Sequence, residues 1–312
     1  MGMRILLTGS EGFIGTHVYD RLVALGHDVV GLDNLDRRVH GDNQTPERTA
    51  IVADYGNIQY TDLYGVDVII HLAAQVSVAD SMVDTYRYRY HNTDQMYDFI
   101  DTLRRNVENG HKPKRMVVAS SSSVYGNVPL PVVEHGPVDP CNVYGLTKFD
   151  QEQLTKMWCR NLGIEAVALR FFNIYGPGQA SHNVYTGVLA NFARMMVAGE
   201  HPKITEDGQQ LRDFIHVHDI ADAIVLTATC DEPQHEVYNV CTGRPTSMLT
   251  ATRALADALG TGIAPEVTGD FRVGDQRHVL GSYARLADEF AWAPRPFTEG
   301  IKDYAAWLSK FL

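Results

Sequence analysis

The stretch Thr8-Gly9-Ser10-Glu11-Gly12-Phe13-Ile14-Gly15 decides how this chain folds. It follows a short apolar run, Arg4–Leu7, and opens an amphipathic segment, Phe13–Leu25, so it predicts a turn between a buried strand and a helix. Glycines in such a turn let backbone N–H groups approach a pyrophosphate, and the helix N-terminus adds partial positive charge. Ordinary turns also contain glycine, but the position between a strand and a helix favours a dinucleotide-binding loop. The expected cofactor contacts here are Gly9, Gly12, Phe13, Ile14 and Gly15.

Apolar runs alternate with amphipathic segments through the rest of the first half. Strand alternating with helix predicts a parallel sheet covered on both faces, which is a doubly wound α/β fold of the Rossmann type. Further helices are predicted at about Val83–Asn106 and at Phe149–Leu162. The further strands are predicted at Val29–Leu32, Ile51–Ala53, Val68–Leu72, Met116–Ala119 and Ala166–Leu169.

The second half is less regular, and it predicts a smaller, mostly helical domain. We expect a dinucleotide-binding domain at residues 1–172, with strands returning to its sheet from about 213–242, and a substrate domain at 173–212 and 243–312. Ligands of doubly wound folds bind at the carboxyl ends of the strands, so the cleft between the two domains is the expected site. The elements predicted here are helices at Val188–Ala198, Ile220–Thr229, Thr250–Leu259 and from Thr298, and strands at Phe214–Val217 and Val237–Val240.

A carboxylate stands just beyond the second strand. Asp33 lies roughly 20 residues after the glycine-rich turn, where it can bind the ribose 2′-hydroxyl of a dinucleotide, although an aspartate that initiates a turn is the alternative. A carboxylate repels a 2′-phosphate, so NAD is favoured over NADP, while the nearby Arg37 and Arg38 leave NADP open. Asp54, after the third strand, is expected at the adenine, again with a turn-initiating aspartate as the alternative. Further cofactor contacts are expected at Asn34, Leu72, Ala73 and Ala74.

Composition excludes several classes of protein. Of the 312 residues, 45% are hydrophobic and 21% charged, which is typical of a globular protein. A formal net charge of −11 argues against nucleic-acid partners and against binding to anionic lipid. No apolar run is as long as a membrane span, so we expect no membrane partner. The spacing of Cys141, Cys159, Cys230 and Cys241 fits no metal motif, which favours free thiols, no metal site and a cytoplasmic location.

Tyr144 and Lys148 lie four residues apart in Asn142-Val143-Tyr144-Gly145-Leu146-Thr147-Lys148, just before the predicted helix Phe149–Leu162. At this spacing both side chains share one helix face. An ammonium at ~5 Å, in an effective dielectric of ~20, favours a phenolate by about 3 kcal/mol, or roughly two pKa units. The pair could therefore form a general base near neutral pH. Such pairs are also common on solvated helices, so the rest of the chain must decide between the two interpretations.

Ser120-Ser121-Ser122-Ser123-Val124-Tyr125-Gly126 follows the fifth strand, on the same sheet edge as the glycine-rich turn. Hydroxyls there can bind a substrate oxygen, or they can simply end a strand. Together with His71-Leu72-Ala73-Ala74, the Tyr144–Lys148 pair and Arg170-Phe171-Phe172-Asn173, this segment resembles the extended short-chain dehydrogenase/reductase family, in its NAD-dependent nucleotide-sugar epimerase/dehydratase branch. The resemblance covers nearly the full chain.

This resemblance implies roles for individual residues. Ser121, Tyr144 and Lys148 match the family's catalytic serine, its base and the lysine that holds the nicotinamide ribose. Asn92, in Asn92-Thr93-Asp94-Gln95-Met96, stands where the family has NxxGT, and it is taken as a further cofactor contact. Sugar and diphosphate contacts are implied for Ser121, Ser122, Ser123, Tyr144, Asn173, Arg212, Arg272 and Asp275. Arginine suits such contacts because its fork binds phosphate oxygens in pairs, although a surface ion pair is the alternative for each.

The family branch contains several activities. Its dehydratases usually carry an acidic residue among the two residues that follow the catalytic serine or threonine, whereas Ser122 and Ser123 are neutral. We therefore expect an NAD-dependent 4-epimerase acting on a nucleotide-diphosphate sugar of the UDP-hexose or dTDP-hexose type. A 4,6-dehydratase or 4-ketoreductase is the alternative, and a non-enzymatic NAD-sensing regulator is a remote one. The resemblance also implies a homodimer.

Overall fold

The computed structural model describes residues 2–41, 45–179, 187–270 and 276–310. Two 3₁₀ turns, Tyr55–Asn57 and Tyr60–Leu63, precede the fourth strand, and a π-helical turn, Arg89–Asp94, separates the fourth and fifth helices. The elements of the first half are β1 (Arg4–Thr8), α1 (Phe13–Ala24), β2 (Asp28–Asp33), α2 (Arg37–His40), β3 (Ile51–Val52), β4 (Val68–His71), α3 (Val78–Ser81), α4 (Thr85–Tyr88), α5 (Gln95–Glu108), β5 (Arg115–Ser121), α6 (Val143–Leu162) and β6 (Glu165–Phe171).

Shorter strands and four large helices form the second half. The sequence predicted where each of these four helices begins to within three residues, whereas a short helix at Ala284–Phe290 was not predicted. These elements are β7 (Asn173–Tyr175), α7 (Val188–Val197), β8 (Lys203–Ile204), β9 (Leu211–Arg212), β10 (Phe214–His216), α8 (Val217–Thr229), β11 (Val237–Val240), β12 (Thr246–Ser247), α9 (Met248–Leu259), β13 (Glu266–Val267), α10 (Ala284–Phe290) and α11 (Phe297–Leu308).

Seven parallel strands form the central sheet, in the order β11-β6-β5-β4-β1-β2-β3. The prediction of a doubly wound α/β fold is confirmed. Every residue of β4 and β5 is buried, as expected for strands that are covered on both faces. The strand order reverses between β1 and β4, and the carboxyl ends of these two strands open into the main cleft.

Two apolar layers cover the sheet. On one face α1 and α8 bury Val18, Leu22 and Ile220 against β1 and β5, and on the other α5 buries Phe99 and Leu103. Burial of each such side chain contributes about 1.5–3 kcal/mol to folding. A third cluster joins α7, α9 and α11 of the second half. None of the helices in the described ranges combines the length and apolarity needed to cross a bilayer.

Two predicted elements differ from the structure. Val237–Val240 extends the central sheet beside β6, but Phe214–His216, which was also expected to return to that sheet, pairs instead with β7 in a separate two-stranded sheet. The single helix expected at about Val83–Asn106 is α4, the π-helical turn and α5. The strand and the helical segment were thus predicted with the correct type of secondary structure. Which elements they pack against depends on contacts with distant parts of the chain.

Helix α6 begins at Val143, earlier than the predicted Phe149. The side-chain Oδ1 of Asn142 accepts the backbone N–H of Gly145 at 2.8 Å, which caps the helix. Tyr144 and Lys148 therefore both belong to the first turns of one helix. The helix ends at Gly163, whose φ of +66° is the left-handed conformation that glycine tolerates.

Candidate active site

A cleft of about 610 Å³ runs along the carboxyl edge of the sheet. It brings together the glycine-rich turn, the ends of β2 and β4, the serine row after β5 and the start of α6. Of the residues predicted to bind cofactor or substrate, it is lined by Gly9, Gly12, Phe13, Ile14, Gly15, Asp33, Asn34, Asp54, Leu72, Ala73, Ala74, Ser121, Ser122, Ser123, Tyr144, Lys148 and Asn173.

Close backbone packing explains the glycines of the turn. Gly9 has a φ of +74°, and its N–H donates to the carbonyl of Leu32 at 2.7 Å. A Cβ at Gly15 would lie 1.9 Å from the carbonyl oxygen of Gly9, so a side chain there would collide with the turn. Helix α1 has no side-chain cap, because its N-cap residue is Gly12. The first N–H groups of α1 therefore face the cleft in the arrangement that binds phosphate oxygens.

Asp33 ends β2 and is 5% exposed. Its Oδ2 accepts the backbone N–H of Glu11 at 3.1 Å, and its Oδ1 accepts that of Leu35 at 2.9 Å. Nε2 of His40 lies 3.4 Å from Oδ1. The carboxylate is thus fixed by one backbone donor from the glycine-rich turn and one from the segment after β2, which suits a group that accepts from ribose hydroxyls.

Acidic side chains concentrate at the same end of the cleft. Asn34 Nδ2 donates to Asp54 Oδ1 at 2.7 Å, and both residues line the wall. Asp36 also lines it, and its backbone hydrogen bond and the neighbouring Arg87 hold the pKa of this carboxyl below its usual value even though burial acts in the opposite direction. This set of donors and carboxylates fits an adenosine with free ribose hydroxyls and disfavours a 2′-phosphate.

Asn92 was predicted to contact the cofactor, but it does not line the cleft. It is fully buried behind the wall, where Oδ1 accepts the N–H of Gln75 at 2.8 Å. Its Nδ2 donates to the carbonyl of Gln75 at 3.1 Å and to Oγ1 of Thr147 at 3.0 Å. Asn92 therefore ties the segment after β4 to α6, the helix that carries Tyr144 and Lys148.

The Ser121 and Tyr144 side chains are hydrogen-bonded to each other. Oγ of Ser121 also accepts the backbone N–H of Ser123 at 3.1 Å, which fixes the rotamer of the serine. Burial raises the pKa of Tyr144 although part of the residue stays open to the cleft, and the bond from Ser121 opposes that rise. Ser121 thus acts on the phenol in the direction that favours the phenolate.

Lys148 is 2% exposed, and burial lowers its pKa to about 7. Its Nζ donates to Oε1 of Gln151 at 2.6 Å. We expected this ammonium to lower the pKa of Tyr144, but in this structure the pKa of the phenol is raised. The physical reason is that burial disfavours the charged form of both groups, and the ammonium is directed at Gln151.

Arg212, one of the two arginines predicted to bind the diphosphate, is not brought to the cleft. Arg212 Nη1 donates to the backbone carbonyls of Leu211 and Arg277, each at 2.9 Å, and the residue does not line the wall. Arg272 and Asp275 lie outside the described residues. Asn173, at the start of β7, does line the cleft.

Sequence reasoning missed Gln179, which lines the cleft, and Gln151, which is buried behind the cleft wall. Gln179 follows the Tyr175–Gly178 turn, and its Oε1 is buried without a hydrogen-bond partner among the described residues. A polar residue directly after a Gly-Pro-Gly turn was the only signal. Gln151 had no signal at all, since a glutamine on a helix usually faces solvent.

Comparison with known proteins places these observations in context. The family model described as "NAD dependent epimerase/dehydratase family" matches residues 5–241. A dTDP-L-rhamnose 4-epimerase from Burkholderia thailandensis is 29% identical over 353 residues, covering 100% of this chain and 96% of that protein. A UDP-glucose 4-epimerase from Mycolicibacterium smegmatis is 34% identical over 310 residues, covering 96% of each. The structure of a Thermus thermophilus UDP-glucose 4-epimerase in complex with NAD has a TM-score of 0.86 at 28% identity, covering 99% of this chain and 100% of that one.

Proposed function

The chain belongs to the NAD-dependent epimerase/dehydratase family, and from that premise we propose that it is an NAD-dependent 4-epimerase of nucleotide-diphosphate hexoses. The observation that carries this proposal is the convergence of Ser121, Tyr144 and Lys148 on one cleft with the glycine-rich turn and Asp33. Relatives that span nearly the whole chain and bear 4-epimerase names support it.

The cleft fits NAD. The uncapped N-terminus of α1 offers N–H groups to the pyrophosphate, and Asp33 and Asp54 offer acceptors to the ribose and adenine. NAD, when bound, supplies a hydride acceptor and donor. Lys148 keeps two N–H donors beyond the one given to Gln151, and these suit ribose hydroxyls.

Tyr144 acts as the base in this proposal. As the phenolate it takes the proton of the sugar C4 hydroxyl, and after the 4-keto sugar turns in the cleft it returns that proton to the new hydroxyl. Ser121 donates to the same oxygen atoms and stabilises negative charge on them. This role requires the pKa of Tyr144 to fall from its raised value, and we expect the Lys148 ammonium, one helical turn away, to lower it.

Neutral side chains beside the base favour epimerisation over dehydration. Ser122 and Ser123 follow Ser121 on the cleft wall, and neither can act as the acid that removes a hydroxyl group from the sugar. With only proton transfer at O4 available there, the 4-keto sugar is reduced again rather than dehydrated.

The test is to incubate purified protein with UDP- and dTDP-hexoses and follow inversion at C4 by proton NMR. We expect inversion of at least one sugar without net change of absorbance at 340 nm, and a Tyr144→Phe variant with less than a few per cent of that activity. Tyr64→Phe, which alters a tyrosine away from the cleft, is the control. Stoichiometric consumption of added NADH would indicate a reductase, and full activity in Tyr144→Phe would show that the base is wrongly assigned.

We also propose that the protein forms a homodimer through an apolar surface on α4, α5 and α6. This surface includes Tyr86 (67% exposed), Tyr97 (54%), Leu146 (50%) and Met157 (48%), and Val83 (87%) lies just before α4. Exposed apolar side chains on neighbouring helices are typical of a protein interface, which supports this proposal. Sedimentation at micromolar concentration should show a dimer that Tyr97→Glu with Met157→Glu dissociates and that Val267→Glu, at an exposed valine elsewhere, leaves intact.

A cytoplasmic location completes the proposal. All four cysteines have free thiols, which is the form kept in a reducing compartment. Fractionation of the source cells, with the protein recovered in the cytoplasmic fraction, is the expected result.

A further inference from the structure

Gln151 lies beneath the catalytic pair, three residues after Lys148 on α6, and is fully buried. Its Oε1 accepts from Lys148 Nζ at 2.6 Å. Its Nε2 lies 3.4 Å from Nε2 of His71 and 3.5 Å from the hydroxyl of Tyr55. A buried amide thus joins the lysine to two further buried polar side chains.

The neighbours of Gln151 determine which way its amide faces. The hydroxyl of Tyr55 donates its hydrogen to the backbone carbonyl of His91 at 2.5 Å, so toward Gln151 the Tyr55 oxygen acts as an acceptor. Turning the amide over would set its NH₂ group against the ammonium of Lys148 and would remove the donor to Tyr55. The carbonyl oxygen of Gln151 therefore faces the lysine.

His71 extends this network to the glycine-rich turn. It receives the N–H of Gln151 at Nε2, so its own proton lies on Nδ1, which is 2.9 Å from Oγ1 of Thr8. Only a neutral ring fits this arrangement, and burial, with the charge of Lys148, lowers the pKa of His71 to about 3. The chain Lys148–Gln151–His71–Thr8 connects the start of α6 to the residue before Gly9.

The Lys148 ammonium has little other compensation. Among the described residues, the titratable groups that face it or its partner are Tyr144 on α6, His71 on β4 and Tyr55 in the 3₁₀ turn, and none of these three carries a negative charge. Glu152, the next residue after Gln151, is paired with Arg170 at 2.7 Å. A buried ammonium without acceptors loses its proton, so the acceptor it does have decides its charge.

We infer that Gln151 is a positioning residue that keeps Lys148 charged and directed along the cleft wall. The catalytic consequence rests on the proposed function, because a charged Lys148 is needed there to make Tyr144 a base. The charge of Lys148 itself can be measured without any sugar substrate.

Two substitutions at Gln151 should shift the titration of Lys148 in opposite directions. Gln151→Met keeps the length of the side chain but removes the acceptor, and it should lower the titration midpoint of Lys148 by about one pH unit or more. Gln151→Glu adds a carboxylate and should raise the midpoint by a similar amount. The control is Thr155→Val, which replaces another fully buried polar residue of α6, one turn further on, and should shift nothing.

The measurement is the pH dependence of the lysine 13Cε signals of the full-length protein, with Lys148→Met used to assign the resonance. Opposite shifts in Gln151→Met and Gln151→Glu support the inference. Equal shifts, no shift, or a shift in Thr155→Val would overturn it. Near-UV circular dichroism shows whether Gln151→Met folds. If it does not, the Lys148 titration midpoint in Gln151→Glu is the deciding measurement, and an unchanged midpoint in that variant would also refute the inference.

A kinetic measurement separates this inference from the proposed function. If the protein is a 4-epimerase, the high-pH limb of its kcat profile should move to lower pH in Gln151→Met and to higher pH in Gln151→Glu, while KM changes less than twofold. If the Lys148 midpoints shift in the NMR titration but the high-pH limb of the kcat profile does not move, the charge of Lys148 does not control catalysis, and the catalytic consequence is refuted. Absence of turnover in the wild type as well would refute the proposed function, and the NMR titration would still decide the role of Gln151.

Discussion

Oδ2 of Asp33 accepts the backbone N–H of Glu11 at 3.1 Å, so the carboxylate that ends β2 is tied directly to the glycine-rich turn. One side chain thus holds the loop expected at the pyrophosphate and lines the wall expected at the ribose. Its 5% exposure means that its charge is little screened by solvent.

Asp33→Asn should weaken NAD binding about tenfold or more, because a hydrogen bond to a charged group contributes about 1.5–3 kcal/mol. Binding of NADP should weaken less, since the repulsion of its 2′-phosphate is removed as well. Isothermal titration calorimetry with both dinucleotides measures this difference. Asp28→Asn, at the exposed start of the same strand, is the control, and equal losses for NAD and NADP would contradict the ribose role.

Ser121→Ala should reduce kcat by about 10² or more, because it removes a donor to the oxygen that becomes negative. The bond from Ser121 acts to lower the pKa of Tyr144, so its loss should raise that pKa further and move the low-pH limb of the kcat profile to higher pH. Steady-state kinetics from pH 6 to 9 measures both effects. Ser122→Ala and Ser123→Ala should each cost less, and a larger loss in either would identify that serine as the catalytic one.

The buried ion pair of Glu152 and Arg170 should be sensitive to removal of one partner. Oε1 of Glu152 accepts from Arg170 Nη2 at 2.7 Å, and Oε2 accepts from Arg170 Nε and from Ser120 Oγ, each at 3.0 Å. Glu152→Gln should lower the free energy of unfolding by about 3–5 kcal/mol, since it leaves a buried guanidinium without its counter-charge.

Urea denaturation measures this loss, with Glu236→Gln as the matched control. Glu236 pairs with Arg160 on the surface at 3.1 Å, and both side chains are largely exposed. That pair should contribute about 0–1 kcal/mol. Equal effects at the two sites would show that the Glu152 pair does not stabilise the fold as its burial suggests.

His71 should make the fold sensitive to acid. Its pKa is lowered to about 3 in the folded protein, so the unfolded chain binds a proton first as pH falls. The contribution is fully present above the unfolded pKa near ~6.5 and is lost progressively between there and about 3.

As the pH is lowered from 6 to 4, the free energy of unfolding should therefore fall less steeply in His71→Gln than in the wild type. The two slopes should differ by about 1.4 kcal/mol per pH unit. Urea titrations at several pH values measure the slope. His135→Gln, at an exposed histidine, should leave the slope unchanged, and an unchanged slope in His71→Gln would contradict the neutral buried ring.

Much of the candidate site could be predicted because local patterns encode it. Gly9 and Gly15 are required by a positive φ and by a backbone contact within the turn itself, and both features belong to a few consecutive residues. Tyr144 and Lys148 share a face because helical spacing sets it. The position of Arg212 could not be predicted, because an arginine in a short strand has the same local pattern whether it faces a cleft or bonds to the backbone carbonyl of Arg277.

The sequence alone determined the doubly wound sheet, the glycine-rich turn and the serine, tyrosine and lysine that meet at its edge, since apolar periodicity and turn chemistry act over a few neighbouring residues. Only the tertiary structure decided that Asn92 lies behind the wall, that β10 leaves the central sheet, and that Lys148 is directed at Gln151. The same applies to the raised pKa of Tyr144, because burial arises from elements distant in the chain that pack around one hydroxyl group.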